Sequence, residues 1–278
     1  MDRARAGDVL MGIVNVTPDS FSDGGRFLKA ERAIARGLEL AADGATILDI
    51  GGESSRPGHA PVTAEEEIRR VEPVIAGLAL RTDAPLSIDS TKPEVAARAL
   101  ELGACVVNDI WGLQGEPAMA RIAAGAGAAV VAMHNRAEKD AGLDVAADME
   151  TFFARTLAIA EAAGLPKSRL LLDPGVGFGK TPEQEWQALA ALPKLRARFG
   201  LPILVGLSRK SFLGRLTGLP LDRRIAPTIA IDLAMRRLGA SVFRVHDAAE
   251  HVAAFKVQDA MDAAMDAATA AAVGGAGA

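Results

Sequence analysis

The sequence predicts an α/β protein of the (β/α)8 barrel class, the TIM barrel, built as one domain with long loops after the first and second strands. Eight apolar runs of strand length recur along the 278 residues, and this length is close to the roughly 250 residues typical of such a barrel. Segments with helical spacing separate the runs, and that alternation indicates a parallel sheet. Nearly every run ends in a polar or charged residue, and the C-terminal strand ends of such folds face the ligand. The sequence therefore predicts a barrel arranged around one site.

The predicted strands follow one another at regular intervals. They occupy residues 10–16, 47–50, 86–88, 106–108, 129–133, 170–173, 203–206 and 242–245. The helices between them have recognisable starts, because Thr63 and Thr91 are each followed three residues later by a glutamate, the capping-box pattern. Thr181 is followed by a proline in the first helical turn. An open doubly wound sheet is the competing fold, but it usually stops at about five or six strands.

One domain is expected over residues 1–269, because no change of composition and no linker divides this stretch. Residues 270–278 are almost wholly alanine and glycine, and we expect them to form a flexible tail. The loops spanning residues 17–29 and 51–62 are long for connections from strand to helix. Long loops in compact domains are more often functional lids than simple links.

Composition restricts the classes of partner. Half of the residues are apolar and the formal net charge is −4, which argues against a nucleic-acid or anionic membrane surface. A single cysteine, Cys105, allows no internal disulfide and fits a reducing compartment. No signal-peptide pattern is visible, and no run reaches the roughly 18 apolar residues of a membrane helix. We expect a soluble, cytoplasmic protein.

The densest motif follows the sixth strand and spans residues 173–181, DPGVGFGKT. A phosphate-binding P-loop would need glycine five positions before Gly179, where the chain has Pro174, and the glycine spacing of a dinucleotide fingerprint is also missing. What remains is the carboxylate of Asp173, a loop of small residues and one aromatic side chain, Phe178. Such a carboxylate can accept two parallel N–H bonds from a flat ring edge, although helix capping is the simpler explanation.

Asp89 and Asn108 end the third and fourth strands and, in a barrel, would adjoin Asp173 around one pocket. Two carboxylates suit a divalent metal or an acid and base pair, whereas two carboxylates with an amide suit a guanidine-like ligand rich in donors. Asp89 and Asp109 could instead cap the helices that follow them. The pattern leaves these alternatives open.

The last two strands end in basic residues. Lys210 follows the seventh strand and can reach into the pocket, and Ser211 opens a helix whose start favours an anion. Ser208 lacks the glycine spacing of a hydrolase nucleophile. Alternation places Arg244 and His246 on the same side of the eighth strand, where barrels often hold phosphate.

The two long loops add further polar residues. The first contains Asp19 and Asp23 together with paired glycines, and this composition suits a closing flap. The second contains Arg56, whose planar fork suits phosphate or carboxylate. An ion pair from Asp19 or Asp23 to Arg56 on closure is one hypothesis, and ordinary surface pairing is the simpler alternative.

Five segments together resemble one family, the dihydropteroate synthases, in its order and across essentially the whole chain. They are NVTPDSFSDGG from residue 15, DIGGESSRPG from 49, DPGVGFGK from 173, SRKS from 208 and RVHD from 244. The resemblance implies a (β/α)8 barrel, usually a homodimer, that transfers a pterin-methyl group. A pterin diphosphate would condense with 4-aminobenzoate by an SN1-like route that requires Mg²⁺, a stabilised leaving group and exclusion of water.

The resemblance also implies the roles of individual residues. It assigns the pterin to Asp89, Asn108, Met133, Asp173, Gly206, Lys210 and Arg244. It assigns the diphosphate to Asn15, Arg244 and His246, with Asn15 also the metal ligand. It assigns 4-aminobenzoate to Ser55, Arg56, Pro57, Phe178, Lys210 and Ser211. The catalytic set would be Lys210, Arg56, Arg244, His246 and Asp89.

Two departures from the family pattern are visible. Ser55 stands where many members have threonine, and the segment after Met133 differs from the usual ending of the fifth strand. Asp49 and His134 receive no role. Two other functions remain open: a pterin-binding barrel of the methyltetrahydrofolate and corrinoid methyltransferase type, or a catalytically silent paralogue that retains the barrel. The first would not need the residues assigned to diphosphate, and the second would usually have lost the lids or Lys210.

Overall fold

Eight parallel strands form one sheet that curves into a barrel. The computed structural model describes residues 8–16, 26–54 and 61–275. The strands are β1 (Val9–Asn15), β2 (Ile47–Gly51), β3 (Leu86–Asp89), β4 (Ala104–Asp109), β5 (Ala129–Met133), β6 (Leu170–Asp173), β7 (Leu204–Val205) and β8 (Val242–Val245). Their order in the sheet is β6-β5-β4-β3-β2-β1-β8-β7, and a parallel bridge between Leu172 and Ile203 joins β6 to β7. The predicted (β/α)8 barrel is confirmed.

Ten α-helices lie in the described part of the chain, outside the barrel. They are α1 (Arg26–Ala42), α2 (Ala64–Ala79), α3 (Pro93–Glu101), α4 (Pro117–Gly125), α5 (Val145–Ala162), α6 (Pro182–Ala190), α7 (Leu192–Phe199), α8 (Ser211–Thr217), α9 (Ile225–Arg237) and α10 (Ala248–Gly275). Short 3-10 turns cover Lys167–Arg169 and Leu221–Arg223. None of these helices is long and apolar enough to span a membrane.

Alternation along the strands divides the core in two. The residues that point into the barrel form one cluster: Val9, Met11, Val106, Ala129, Val131, Leu171, Leu204 and Val242. The residues between them in sequence, such as Leu10, Leu48 and Val107, pack outward in a larger cluster against the helices. Successive side chains of a strand point to opposite faces, so one register determines both layers. The barrel interior is therefore a packed floor beneath the strand ends.

Two of the three helix starts predicted from the sequence are found in the structure, and the third is not. The hydroxyl of Thr63 accepts from the backbone N–H of Glu66, and Thr181 forms a complete capping box with Gln184. The predicted cap at Thr91 is wrong, because α3 begins at Pro93 and its cap residue is Lys92. Proline fixes the first helical position, and the Lys92 side chain is directed instead to carboxylates on neighbouring elements.

Other boundaries differ in detail. β7 pairs regularly only over Leu204–Val205, shorter than the predicted run, although Ile203 still bridges to β6. The last helix continues to Gly275, beyond the predicted domain boundary at residue 269. The flexible tail stays a prediction, because residues 276–278 lie outside the described chain. Most of the two long loops, residues 17–25 and 55–60, also lies outside it.

Candidate active site

Polar side chains collect at the C-terminal end of the barrel, directly above its apolar floor. They continue the same alternation that points Val9, Val106 and Val242 inward. On this inward face lie Asn15, Asp49, Asp89, Asn108, Met133, Asp173, Gly206, Arg244 and His246. The register aligns Asp89 with Gly51 on one side and with Asn108 on the other. Asp89, Asn108 and Asp173 thus share one face at the strand ends, and their part in a common ligand site stays a prediction.

Asp49 is the centre of a buried hydrogen-bond network. Its Oδ2 atom accepts from Nε of Arg244 at 2.6 Å and from Nδ2 of Asn108 at 3.0 Å. A second guanidinium nitrogen of Arg244 donates to Oδ2 of Asp89 at 2.8 Å. Within the described residues, Oδ1 of Asp49 is buried without a hydrogen-bond partner. A buried acceptor left without a partner is costly, so this atom marks a place where ligand or water can bond.

Burial and charge act against each other in this network. Burial raises the pKa of Asp89 to about 7, Arg244 opposes the rise, and the nearby carboxylate of Asp49 adds to it. Burial also opposes the charge of Arg244, but the carboxylates of Asp49 and Asp89 outweigh it and raise the pKa of Arg244 above its ordinary value. Arg244 is therefore a permanent cation, while Asp89 is close to its midpoint near neutral pH.

The loop after β6 places an aromatic ring and a carbonyl beside Lys210. The backbone N–H of Gly175 donates to Oδ1 of Asp173 at 2.7 Å, which orients this carboxylate. The ammonium of Lys210 donates to the carbonyl of Val176 and lies 4.9 Å from the centre of the Phe178 ring. A cation at this distance from a ring is attracted to its face. The loop after β6 and the Lys210 side chain therefore hold each other in position.

Lys210 is held by its neighbours in sequence as well. Burial lowers its pKa to about 8, and the carboxylate of Asp173 opposes this fall. Arg209, the preceding residue, has a left-handed backbone with φ of 58°. Its N–H donates to the hydroxyl of Thr228 at 3.0 Å, and its guanidinium pairs with Asp247. These bonds stabilise a backbone conformation that is unfavourable for a residue with a side chain, and so direct Lys210 into the pocket.

The remaining predicted residues lie around the rim and wall of the pocket. Nδ1 of His246 is 2.9 Å from the hydroxyl of Ser208, which orients the imidazole. Asn15 is exposed at the end of β1, and Ser211 is exposed at the start of α8. Met133 is buried at the end of β5, where it can form an apolar wall. The predicted contacts of these residues with substrate stay predictions.

Part of the predicted 4-aminobenzoate site lies outside the described residues. This applies to Ser55, Arg56 and Pro57, and to the suggested pairing of Arg56 with Asp19 or Asp23. The described beginning of the same loop is firmly attached: Lys92 pairs with Glu53 and, at 2.6 Å, with buried Glu67.

Three buried side chains near the site were given no position or partner by the sequence. Asp49 received no role, although it lies two residues before Gly51 and therefore shares its inward face. His134 was unassigned, and Lys180 was considered only as part of a phosphate loop. The structure joins these last two, with Nζ of Lys180 2.8 Å from Nδ1 of His134. Asp109 does cap locally, as its alternative interpretation supposed: it accepts from the N–H groups of Trp111 and Leu113.

Fold and site together define a class of protein. Three carboxylates and an amide at the mouth of the barrel can read a flat ring edge rich in donors, and Lys210 and Arg244 supply positive charge beside them. This is a small-molecule enzyme site of a (β/α)8 barrel, suited to a heterocycle with an anionic substituent. Residues 11–246 match the family described as pterin binding enzyme. The chain belongs to this family, within its dihydropteroate synthase branch.

Similar proteins and solved structures carry the same family name. A dihydropteroate synthase of Bacillus subtilis is 41% identical over 255 residues, which cover 91% of this chain and 88% of the relative. A dihydropteroate synthase structure from Clostridium difficile with pteroic acid is 42% identical with a TM-score of 0.89, covering 92% of this chain and 97% of that one. A Xanthomonas albilineans dihydropteroate synthase with 4-aminobenzoic acid is 46% identical with a TM-score of 0.88, covering 92% and 94%.

Proposed function

We propose that this protein condenses 6-hydroxymethyl-7,8-dihydropterin diphosphate with 4-aminobenzoate to give 7,8-dihydropteroate and diphosphate in folate synthesis. The observation that supports this function best is the buried polar set of Asp49, Asp89 and Asn108 with Arg244 across it. The set lies beside Lys210 and Phe178 at one barrel mouth. It combines hydrogen-bond acceptors for a pterin edge with cations for a departing diphosphate.

The pterin would occupy the space above the barrel floor. Asp89, Asn108 and Asp173 would accept and donate along its aminopyrimidinone edge, because carboxylates accept only and an amide does both. Arg244 now donates to Asp89, so a ring edge that bonds to Asp89 would displace that guanidinium nitrogen. Asp49 would keep hold of Arg244 and let it stack on the ring. Met133 and Gly206 would form the adjoining walls, and Lys210 would meet the ring carbonyl.

The reaction begins at the bond between the pterin methylene carbon and the diphosphate oxygen. This bond breaks largely first, and its electron pair leaves with the diphosphate. The methylene carbon then carries cationic character, and the amine nitrogen of 4-aminobenzoate supplies the pair for the new bond and releases a proton. Arg244 and His246 would stabilise the leaving charge, as preorganised donors do in electrostatic catalysis. Closure of the two long loops would exclude water, which would otherwise compete with the amine.

A magnesium ion forms part of the proposal. Asn15 would hold it, because the residue is exposed at the end of β1 and an amide oxygen is a ligand that Mg²⁺ accepts. Mg²⁺ commonly keeps several waters and binds substrate phosphates with few protein ligands, so one described ligand fits this mode. When bound, the ion would supply positive charge to the diphosphate.

4-Aminobenzoate would lie against Phe178. Its ring would pack on that side chain and on Pro57, and its carboxylate would meet Ser211 and Lys210 near Ser55 and Arg56. Support comes from the distance of 4.9 Å between the Lys210 ammonium and the Phe178 ring, which sets a cation and an aromatic surface side by side. A sulfonamide that mimics 4-aminobenzoate should compete for the same position.

We also propose a homodimer in the cytoplasm. Val257, Met261 and Met265 on α10 are 71%, 54% and 42% exposed, and their spacing of four residues places them on one helix face. Such an apolar stripe suits a contact with a second copy of the chain. Light scattering of the purified protein should give a dimer, and Met261→Glu should shift it toward monomer. A wild-type monomer would contradict this part of the proposal.

Product analysis tests the proposed function. The protein is incubated with Mg²⁺, the pterin diphosphate and 4-aminobenzoate, and 7,8-dihydropteroate is sought by mass spectrometry. Product should form only when both substrates are present. A protein that binds the pterin but forms no product under conditions where a known synthase works would favour the silent paralogue. Methyl transfer from methyltetrahydrofolate to a corrinoid would favour the methyltransferase alternative.

A further inference from the structure

Lys180 is a buried cation that takes no part in the proposed chemistry. Its residue is 1% exposed, although it belongs to a loop. Nζ lies 2.9 Å from the carbonyl oxygen of Gly175 and 3.2 Å from that of Phe178. It also lies 2.8 Å from Nδ1 and 3.3 Å from the carbonyl oxygen of His134. An ammonium has three N–H donors, so these acceptors saturate it.

His134 accepts a hydrogen bond from Lys180 and is itself held in place by Asp148. Burial lowers its pKa to about 4, the positive charge of Lys180 adds to the fall, and Asp148 opposes it. The ring is therefore neutral near pH 7, with Nδ1 accepting from Lys180 and Nε2–H donating to Asp148 at 2.9 Å. Arg136 holds the same carboxylate at 2.9 Å and 3.0 Å. The end of β5 and the start of α5 thus form a rigid support beneath Lys180.

The loop held by Lys180 carries groups of the proposed site. Gly175 donates to Asp173, the carbonyl of Val176 accepts from Lys210, and the Phe178 ring faces the Lys210 ammonium. Lys180 donates to the carbonyl of Gly175, directly before Val176, and to that of Phe178, two residues after it, so the direction of the Val176 carbonyl depends on it. The position of Lys210 therefore depends on a lysine that lies below the loop and outside the pocket.

The positive charge of Lys180 is unfavourable in this buried position. Burial lowers the pKa of Lys180 to about 7; Asp173 opposes this fall, Lys210 adds to it, and Asp148 and Glu185 oppose it. A buried ion is tolerated when it is fully hydrogen-bonded, and removing such partners disturbs the groups they position. The cluster is thus better suited to fixing a geometry than to adding stability.

We propose that Lys180 is a positioning residue of the proposed synthase: with His134 as its acceptor it holds the loop after β6, and through Val176 and Phe178 it sets the place of Lys210 and of the 4-aminobenzoate ring. This inference rests on the proposed function. It applies chiefly to the second substrate, because the loop carries Phe178. Of the residues proposed to bind the pterin, Asp173 and Lys210 contact the loop, whereas Asp89, Asn108 and Arg244 lie on other strands.

The test compares Lys180→Met with Lys194→Met. Lys194 is a matched control, because its side chain is 66% exposed and pairs with Glu150 at the surface. In Lys180→Met, kcat/KM for 4-aminobenzoate should fall by about ten-fold or more, since small displacements of aligned groups are costly. Binding of the pterin substrate, measured by calorimetry without 4-aminobenzoate, should weaken by a clearly smaller factor, because Asp89, Asn108 and Arg244 keep their places. Lys194→Met should match wild type.

A second pair of variants, at His134, tests the proposal if Lys180→Met does not fold. His134→Asn keeps an acceptor oxygen near the position of Nδ1, whereas His134→Leu removes it, so the asparagine variant should retain more activity than the leucine variant. Unchanged kinetics in folded Lys180→Met, an equal loss of pterin binding, or equal losses at His134→Asn and His134→Leu would overturn the proposal.

Hydrogen exchange separates this proposal from the proposed function. Amides of residues 175–181 should exchange faster in Lys180→Met than in wild type, and not in Lys194→Met. If wild type forms no product, the proposed function fails, and exchange alone decides whether Lys180 holds the loop. Unchanged exchange in a folded Lys180→Met protein would then overturn the positioning role.

Discussion

Arg244 and Asp49, 195 positions apart in the sequence, form a partly buried ion pair of 2.6 Å inside the barrel. Asp49 is fully buried, and the same oxygen also accepts from Asn108. Arg244 starts lower in the barrel, where its Cα pairs with that of Met11, and its side chain rises to the level of the strand ends. The carboxylate of Asp49 therefore fixes the position of the Arg244 guanidinium.

Asp49→Asn should lower kcat/KM for the pterin diphosphate by about ten-fold to a hundred-fold, because Arg244 loses the carboxylate that aligns it. The measurement is steady-state kinetics of product formation. Asp262→Asn is the control, since Asp262 pairs with Arg237 on the surface. Wild-type kinetics in Asp49→Asn would show that Arg244 needs no such support.

The second prediction concerns stability against pH at Asp89. Burial raises its folded pKa to about 7, above the unfolded value of about 4. The stability from the protonated carboxyl is fully present below the unfolded pKa and is lost as the pH rises through the folded pKa. Asn cannot titrate, so the melting temperature of Asp89→Asn relative to wild type should rise between about pH 4 and about pH 7 and level off above that. Asp262→Asn should show no such trend, and a constant difference for Asp89→Asn would contradict the raised pKa.

The third prediction concerns Lys210. Lys210→Ala should reduce turnover by about a hundred-fold or more while changing the melting temperature little, because a partly buried cation with a lowered pKa adds little to stability. Lys194→Ala, at an exposed position, serves as the control. Turnover near that of wild type would remove Lys210 from the site.

The same comparison extends to Arg56, which lies outside the described residues. From the sequence resemblance, Arg56→Ala should lower turnover far more than stability. The readouts are steady-state turnover and the melting temperature. Normal activity in both Arg56→Ala and Lys210→Ala would show that the proposed 4-aminobenzoate site is wrong.

A matched pair of glycines tests the loop after β6. Gly175 has φ of 66°, and an added Cβ would overlap the carbonyl oxygen of His134, whereas Gly127 has φ of 63° with open space around it. Gly127→Ala should lower the free energy of unfolding by about 1 to 2 kcal/mol, the cost of the left-handed backbone alone. Gly175→Ala should cost about 3 kcal/mol or more because backbone must also move. Denaturant unfolding measures both, and equal losses would show that the loop is not tightly held.

Much of the fold was predictable, because burial on both faces makes parallel strands apolar and period-two alternation sorts their side chains. For this reason the positions of Asp89, Asn108 and Asp173 at strand ends were enough to place them together. The partner of Asp49 could not be predicted, because it depends on the reach of an arginine from the eighth strand. The burial of Lys180 depends on loop carbonyls whose directions follow from several positive φ angles. The cap at Thr91 failed for a local reason, since proline at residue 93 starts the helix later than the pattern suggested.

Release of diphosphate is the most direct test of the central claim, that the polar strand ends of this barrel carry out the condensation. Purified protein is given Mg²⁺ and the pterin diphosphate, and release is followed with and without 4-aminobenzoate, in wild type and in Lys210→Ala. We predict release that depends on 4-aminobenzoate in wild type and that falls by about a hundred-fold or more in the variant. No release from wild type under conditions where a known synthase works, or equal release from the variant, would contradict this claim.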